Sequence, residues 1–186
     1  MVTVDKENLD RVLKAALARR EKWDEPPEVG VIYRPASGVL RLVPWKISQE
    51  VWQSGHPGAF LSYLADRFME DVTFKRDEIL NIVPIGGEAL GIYFRHEGYT
   101  PPKDQAEELR RRRMVGASTP RFKDIPGRRE YRMILGVTFE LLERGALQYR
   151  ETPPQPPHGY TVLDGPVATA MVRMATALKA EREDSE

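Results

Sequence analysis

Two stretches of alternating apolar and polar side chains limit this chain to folds that are built around a sheet. Residues 89–95 alternate with the period of a strand, in which successive side chains point to opposite faces. Residues 131–139 show the same period, although a helical stripe also fits them. We favour the strand there, because Gly136 would cost about 1 kcal/mol relative to alanine inside a helix.

Helical periodicity surrounds these strands. Leu9, Val12, Leu13, Ala16 and Leu17 fall on one helical face, and Asp5 is a suitable N-cap for that helix. We predict first a helix, then a hairpin over 28–34 and 39–43, and then a short helical turn that Ser48 caps. A second helix follows Gly58 and fades near Asp71. After it we predict a strand over 89–95, a basic helix and loop, a hairpin over 131–139 and 145–150, and a last helix that follows Pro166.

This order predicts a single α+β domain whose antiparallel or mixed sheet of about five strands is flanked by helices. The 186 residues suit one core of moderate size. We place the domain at 1–180, with a basic helix and loop insertion at about 103–128 and a frayed acidic tail at 181–186. The tract 152–159 holds four prolines, so we expect an extended surface connection that does not join the centre of the sheet.

The composition excludes several classes of protein. The chain has no cysteine, which removes disulfide scaffolds, thiolate metal sites and cysteine nucleophiles. Its first twenty residues are charged and periodic, unlike a secretory signal, and no window approaches the roughly 18 to 20 apolar residues of a membrane span. We therefore expect a cytoplasmic protein with no membrane partner. Because 28 basic and 28 acidic residues cancel, any attraction to nucleic acid must be local.

The sequence predicts neither a metal nor a cofactor. His56, His96 and His158 stand alone, without a second ligand at the spacing of a helix or turn. The pair Gly86 and Gly87 precedes a strand, whereas a nucleotide-binding loop follows one. We assign the glycines to a turn.

Only one catalytic constellation can be drawn from the sequence. His96 and Glu97 end the predicted central strand and Glu130 begins another, so a histidine and two carboxylates could meet at one edge of the sheet. Strand ends are normally polar, however, and solvated charges explain the same residues without chemistry. The prediction therefore leans away from an enzyme.

The strongest local anomaly is a basic segment. Residues 103–132 contain ten lysines or arginines against five acidic residues. Four consecutive arginines point around a helix in all directions, so that some of them must reach water or an anionic partner. The residues that we predict to bind a partner are Arg110, Arg111, Arg112, Arg113, Arg121, Lys123, Arg128 and Arg129.

Several interpretations of this segment remain open. The leading one is a non-catalytic accessory or adaptor protein that binds a protein partner, and the second is a nucleic-acid-binding module with strong salt dependence. Pairing of the arginines with Glu107 and Glu108, or plain solvation, would explain the charges without a partner. Exposed edge strands also leave a homodimer open. We expect Trp23, Trp45 and Trp52 to pack as a core seam, or to anchor a partner if they are exposed.

Two short segments carry a resemblance. Lys22, Trp23, Asp24, Glu25, Pro26 and Pro27, together with the stretch from Ile125 to Glu130, resemble pieces of small accessory proteins of actinobacteria and their phages. The resemblance implies an accessory gene product, and it implies no activity, cofactor or site residue.

Overall fold

The computed structural model describes residues 4–20, 22–53, 57–70, 81–151, 153–160 and 165–184. Its centre is a six-stranded sheet in which every neighbouring pair of strands is antiparallel. Helices pack on both faces of the sheet, which confirms the predicted α+β class. Within the described ranges, no helix combines the length and apolar character that crossing a bilayer requires.

The sheet contains one strand more than the sequence predicted. Its strands are β1 (Glu28–Arg34), β2 (Arg41–Pro44), β3 (Glu88–Thr100), β4 (Arg129–Thr138), β5 (Glu143–Tyr149) and β6 (His158–Tyr160). Their order across the sheet is β2-β1-β3-β4-β5-β6, and both predicted hairpins, β1–β2 and β4–β5, are present. β6 begins directly after the last proline of the proline-rich tract and pairs only at the outer edge, where a chain leaving such a tract can still join a sheet.

In the ranges that the structure describes, five α-helices accompany the strands. They are α1 (Lys6–Ala18), α2 (Gln49–Gln53), α3 (Pro57–Glu70), α4 (Lys103–Met114) and α5 (Pro166–Asp184). The backbone of α5 is helical as far as Asp184, which lies within the segment 181–186 that we predicted as an acidic tail. Residues 185 and 186 lie outside the described ranges, as does His56.

One face of the sheet is covered by α1. Asp5 caps this helix as predicted, because its carboxylate accepts a 2.7 Å hydrogen bond from the backbone N–H of Asn8. Leu9, Leu13 and Leu17 are fully buried and pack in one cluster with side chains of β1, β3 and β4. Val12 and Ala16 are only partly buried beside this stripe. The predicted apolar face is therefore divided into a buried stripe and a half-buried flank.

The other face of the sheet is covered by α3 and α5, which pack against each other and against side chains of β1, β3 and β4. Trp45 and Trp52 border this core, and the Trp52 ring meets the ring of Phe60 edge-on at 4.9 Å. Trp23 lies apart, with the guanidinium of Arg132 4.8 Å from the centre of its ring. The predicted seam of three tryptophans is therefore split between two regions.

The strand assignment of residues 131–139 is confirmed by β4, which pairs with both β3 and β5. Gly136 has a packing role in this strand. A Cβ atom there would lie 3.2 Å from methyl groups of both Leu13 and Ile32, closer than ordinary van der Waals contact. The glycine thus makes room for α1 on the sheet.

The predicted basic insertion connects β3 to β4. We call residues 103–128 the arginine arm; it consists of α4, a loop and a 3-10 turn at Phe122–Asp124. The arm stands on the end of the β3–β4 hairpin, where Thr100 and Arg129 are neighbours in the sheet. Only Leu109 and Ile125 are buried among the side chains of the arm that the structure describes. The other described side chains of the arm are exposed or half-exposed, so few side-chain contacts hold the arm against the rest of the protein.

Candidate functional site

The structure displays the predicted binding residues on the surface of the arginine arm and at the start of β4. Arg113 belongs to α4. The other predicted residues all have exposed side chains; they are Arg110, Arg111, Arg112, Arg121, Lys123, Arg128 and Arg129. An α-helix of this length extends about 18 Å. The four consecutive arginines lie in the last part of this helix, directly before Met114.

Internal pairing accounts for only part of this charge. Carboxylate partners are present for three arginines: Arg111 pairs with Glu108, Arg121 with Asp124, and Arg129 with Glu151. No ion pair joins Arg110, Arg112, Lys123 or Arg128 to any residue that the structure describes. Glu107, which we considered as an internal partner, forms no ion pair within the same ranges. The arm thus keeps unpaired positive charge at its surface.

The end of α4 also exposes apolar side chains. Met114 is 80% exposed and Val115 is 76% exposed, and both follow the arginine run directly. Single exposed apolar residues are ordinary on protein surfaces. Two adjacent ones beside unpaired arginines form a surface of the composition found in protein interfaces, in which methionine and arginine are enriched.

Aromatic rings lie where the arm joins the sheet. The guanidinium of Arg128 is 5.3 Å from the ring centre of Tyr99, on β3. The guanidinium of Arg129 is 3.6 Å from the ring centre of Tyr149, on β5. The sequence of the arm itself contains one aromatic residue, Phe122. Sequence analysis missed these pairs because the rings belong to other strands.

The sheet separates the residues of the predicted catalytic constellation. His96 faces the α3–α5 side, where its ring stacks on Phe94 at 5.2 Å and meets Tyr131 edge-on at 5.9 Å. Glu97 is the next residue of the strand and therefore points to the opposite face. It approaches Glu130 there. The histidine and the two carboxylates thus do not share a pocket.

Glu97 and Glu130 instead form a cluster with Asp24. One carboxylate oxygen of each residue lies within 4.8 Å of the others. The guanidinium of Arg150 is part of this cluster, since its Nη1 atom lies 3.0 Å from Glu130 and 3.4 Å from Asp24. Carboxylates at such distances are a common ligand set for hard cations. Here a side chain of the protein already supplies positive charge to two of them.

Burial sets the electrostatics of this cluster. The pKa of Glu97 is raised mainly by burial, although the backbone N–H of Asp24 donates a 2.6 Å hydrogen bond to its Oε2 atom. Its Oε1 atom is buried and accepts no hydrogen bond. Burial lowers the pKa of both Arg20 and Arg132, and the charge of Glu97 acts against that shift in each. The negative charge of Glu97 therefore offsets part of the cost of burying the guanidinium groups of Arg20 and Arg132 at this end of the sheet.

Arg132 connects this cluster to the chain around it. It is 4% exposed, and its Nε atom donates to the Gln148 side chain at 2.7 Å. The amide of Gln148 in turn donates to the Gln155 carbonyl, in the proline-rich tract, at 2.6 Å. The Arg132 guanidinium also lies 4.8 Å from the Trp23 ring centre. The network therefore fastens two irregular segments to the sheet, which is a structural role.

Both segments of the family resemblance reach this network. Trp23 and Asp24 come from the first segment and Glu130 from the second, and all three lie beside Arg150. No sequence signal could have joined them, since more than a hundred residues separate Asp24 from Glu130. Comparison of the chain with protein-family models, with curated proteins and with solved structures finds no match. The function is therefore inferred from the geometry and charge of these surfaces.

Proposed function

We infer that this protein is a non-catalytic adaptor that binds an acidic protein partner through the arginine arm. The observation that supports this function is the combination of unpaired Arg110 and Arg112 on α4 with exposed Met114 and Val115 at the end of that helix. The arginines supply charge complementarity, which guides encounter and fixes register. The apolar pair supplies surface that becomes buried on binding.

The way the arm is attached is consistent with this role. Leu109 and Ile125 are its buried side chains among those described, so binding residues on the remaining faces of α4 are not needed to hold the arm in place. The side chains proposed to bind the partner can therefore differ from the side chains that hold the arm in place. The absence of cysteine from the chain supports a cytoplasmic setting for the complex.

Site-directed photo-crosslinking in the host cell tests the proposal. A photoreactive amino acid at Val115 should capture one acidic protein, and the capture should be lost when Arg110 and Arg112 are both changed to alanine. The matched control changes Arg41 and Lys46 to alanine, which removes the same charge from exposed positions outside the arm. A photoreactive group at Val39, which is 66% exposed, reports non-specific capture. Equal capture from both positions, or capture that survives the double substitution, would contradict the adaptor function.

A nucleic-acid-binding module is the second candidate, and the pairs Arg128–Tyr99 and Arg129–Tyr149 favour it. Arginine with an aromatic ring is a combination that binds phosphate and stacks bases. This candidate predicts that labelled single strands bind at low salt and are released near physiological salt, because phosphate contacts release counterions. Fluorescence anisotropy with wild type, the Arg110 and Arg112 double variant and the Arg41 and Lys46 control measures this. Absence of binding at low salt removes the second candidate and leaves the adaptor function intact.

A further inference from the structure

A cleft with a volume of about 900 Å³ opens between α1 and the β1–β2 hairpin. Its described lining residues include none from the arginine arm. Its size is within the range of pockets that hold small molecules. Any function of the cleft is therefore separate from the function proposed for the arm.

One wall of the cleft is a second stripe along α1. The stripe lies beside the buried leucines and consists of Asn8, Arg11, Val12, Ala15, Ala16 and Arg19. Positions at this spacing share one helical face, and eleven residues of rise make the wall about 17 Å long. Small alanines occupy its middle and arginines lie toward both ends. The wall thus suits a long, narrow ligand.

The opposite wall and the floor come from the sheet. Leu40, Leu42 and Pro44 form the wall. Tyr93 forms the floor, where its ring occupies space that a side chain at Gly30 would need: a Cβ atom there would lie 2.6 Å from the ring. Apolar side chains from α1 and β2 thus face each other across the middle of the cleft.

Positive charge is concentrated at one end of the cleft. Arg19 is exposed and forms no ion pair with the residues that the structure describes. Arg95 has a side chain that is only 12% exposed; its Nη2 atom lies 2.5 Å from Glu28, while its buried Nε atom has no hydrogen-bond partner. Arg11 lies toward the other end and is likewise free of ion pairs within the described ranges. Three arginines thus face one carboxylate along the cleft.

Arg41 also borders the cleft, but it does not add to this charge. It pairs in the sheet with Tyr33, whose side chain is buried on the α3–α5 side. Residues directly opposite each other in an antiparallel pair share a face. The side chain of Arg41 therefore points to the other face of the sheet.

We propose that this cleft binds an amphiphilic anion, with an aliphatic body between the alanines of α1 and the leucines of β2 and a carboxylate or phosphate head beside Arg19 and Arg95. An anionic head would balance the excess of positive charge at this end of the cleft, where Glu28 is the carboxylate among the lining residues. The apolar walls would cover the aliphatic body. A free inorganic anion would leave the apolar walls uncovered, and an aliphatic cation would place positive charge beside the arginines.

Titration calorimetry with decyl phosphate and decanoate tests this site. Both should bind to the full-length protein, while inorganic phosphate and decyltrimethylammonium should not. Decanoate binding as tightly as decyl phosphate would assign a carboxylate head, and tighter binding of decyl phosphate a phosphate head. Arg19→Gln should weaken binding roughly tenfold or more, since it removes a charge-assisted hydrogen bond. Arg11→Gln makes the same charge change at the other end and should have a smaller effect.

A steric variant tests the position of the aliphatic body. Ala15→Leu fills the middle of the cleft and should weaken binding by roughly tenfold or more, comparable to the loss of the charged contact. Ala18→Leu is its matched control, because Ala18 is exposed on the same helix and does not line the cleft. The proposal is overturned if the aliphatic cation binds as well as the anions. Binding that is insensitive to both Arg19→Gln and Ala15→Leu overturns it as well.

Discussion

The ionisation of Glu97 depends on its surroundings in the folded chain. Burial raises its pKa, as does the nearby charge of Asp24, while the Asp24 N–H, Arg20 and Arg132 lower it. Glu130 completes the set of ionisable groups around it. Because burial dominates, the folded protein holds a proton on this carboxyl to higher pH than the unfolded chain does.

The raised pKa of Glu97 predicts the sign of a pH effect on stability. At pH values below the ordinary pKa of a glutamate, about 4.3, this carboxyl is protonated in both states and carries no penalty. As the pH rises through the folded-state pKa, ionising the buried group lowers the free energy of unfolding. Glu97→Gln removes this loss, so the variant should gain stability relative to wild type between about pH 4 and pH 7.

Urea unfolding at several pH values measures this difference. Glu140→Gln is the matched control, since Glu140 is an exposed carboxylate in the turn between β4 and β5. Its difference from wild type should not follow the trend of Glu97→Gln. If Glu97→Gln instead loses stability relative to wild type as the pH rises, the attraction of Arg20 and Arg132 outweighs burial.

At the scale of elements, the contact between α1 and β4 depends on the missing side chain of Gly136. Its neighbours in space are Leu13 and Ile32, at 3.2 Å from the position of a Cβ atom. We expect Gly136→Val to lower the free energy of unfolding by about 1–3 kcal/mol, because overfilling a packed core forces side chains or the helix to shift. Chemical denaturation followed by circular dichroism measures the loss.

A double-mutant cycle identifies the cause of that loss. Leu13→Ala alone should destabilise by about 2–5 kcal/mol through the cavity that it leaves. Combined with Gly136→Val it should cost less than the sum of the two, because the valine occupies part of that cavity. Strictly additive losses would show that Gly136 matters through the strand backbone and not through α1.

Elements with strong local signals were predicted well from the sequence. The cap of α1, the alternation of β3 and the hairpin β4–β5 all depend on neighbours close in the chain. β6 was missed because its pairing with β5 is decided by tertiary contact, and proline content argued against a strand. The division of α1 into a buried stripe and a cleft wall also depends on what the sheet presents to it.

The site was harder to predict than the fold. The exposure of Arg110, Arg111 and Arg112 follows from a run of consecutive charged residues, which the sequence shows directly. His96 and Glu97 are consecutive residues of β3, so their side chains point to opposite faces of the sheet. The predicted catalytic constellation did not take this alternation into account. Asp24, Arg132 and Arg150 come together only in the folded chain, so no local sequence pattern predicts their grouping.

At the scale of the whole molecule, the arginine arm is an addition to a sheet that is complete without it. Thr100 and Arg129 are neighbours across β3 and β4, so a two-residue turn such as Asn-Gly can replace the connection 101–128. The shorter loop gains roughly 2 kcal/mol in closure entropy. Removing Leu109 and Ile125 forfeits about 1.5–3 kcal/mol each in burial. We therefore expect a chain that still folds cooperatively, with a net loss of a few kcal/mol.

Coincident urea transitions by circular dichroism and tryptophan fluorescence would confirm cooperative folding of the shortened chain. A full-length variant with Leu109→Ser and Ile125→Ser separates lost burial from loop shortening, because it keeps the connection and removes only the two buried contacts. Non-coincident transitions in the shortened chain would mean that the arm is part of the folding unit. If the shortened chain folds, a pull-down that does not need the photoreactive residue at Val115 can compare its binding to the captured partner with that of wild type. Loss of binding then assigns the interaction to the arm, since the sheet, α1 and the cleft beside it are retained.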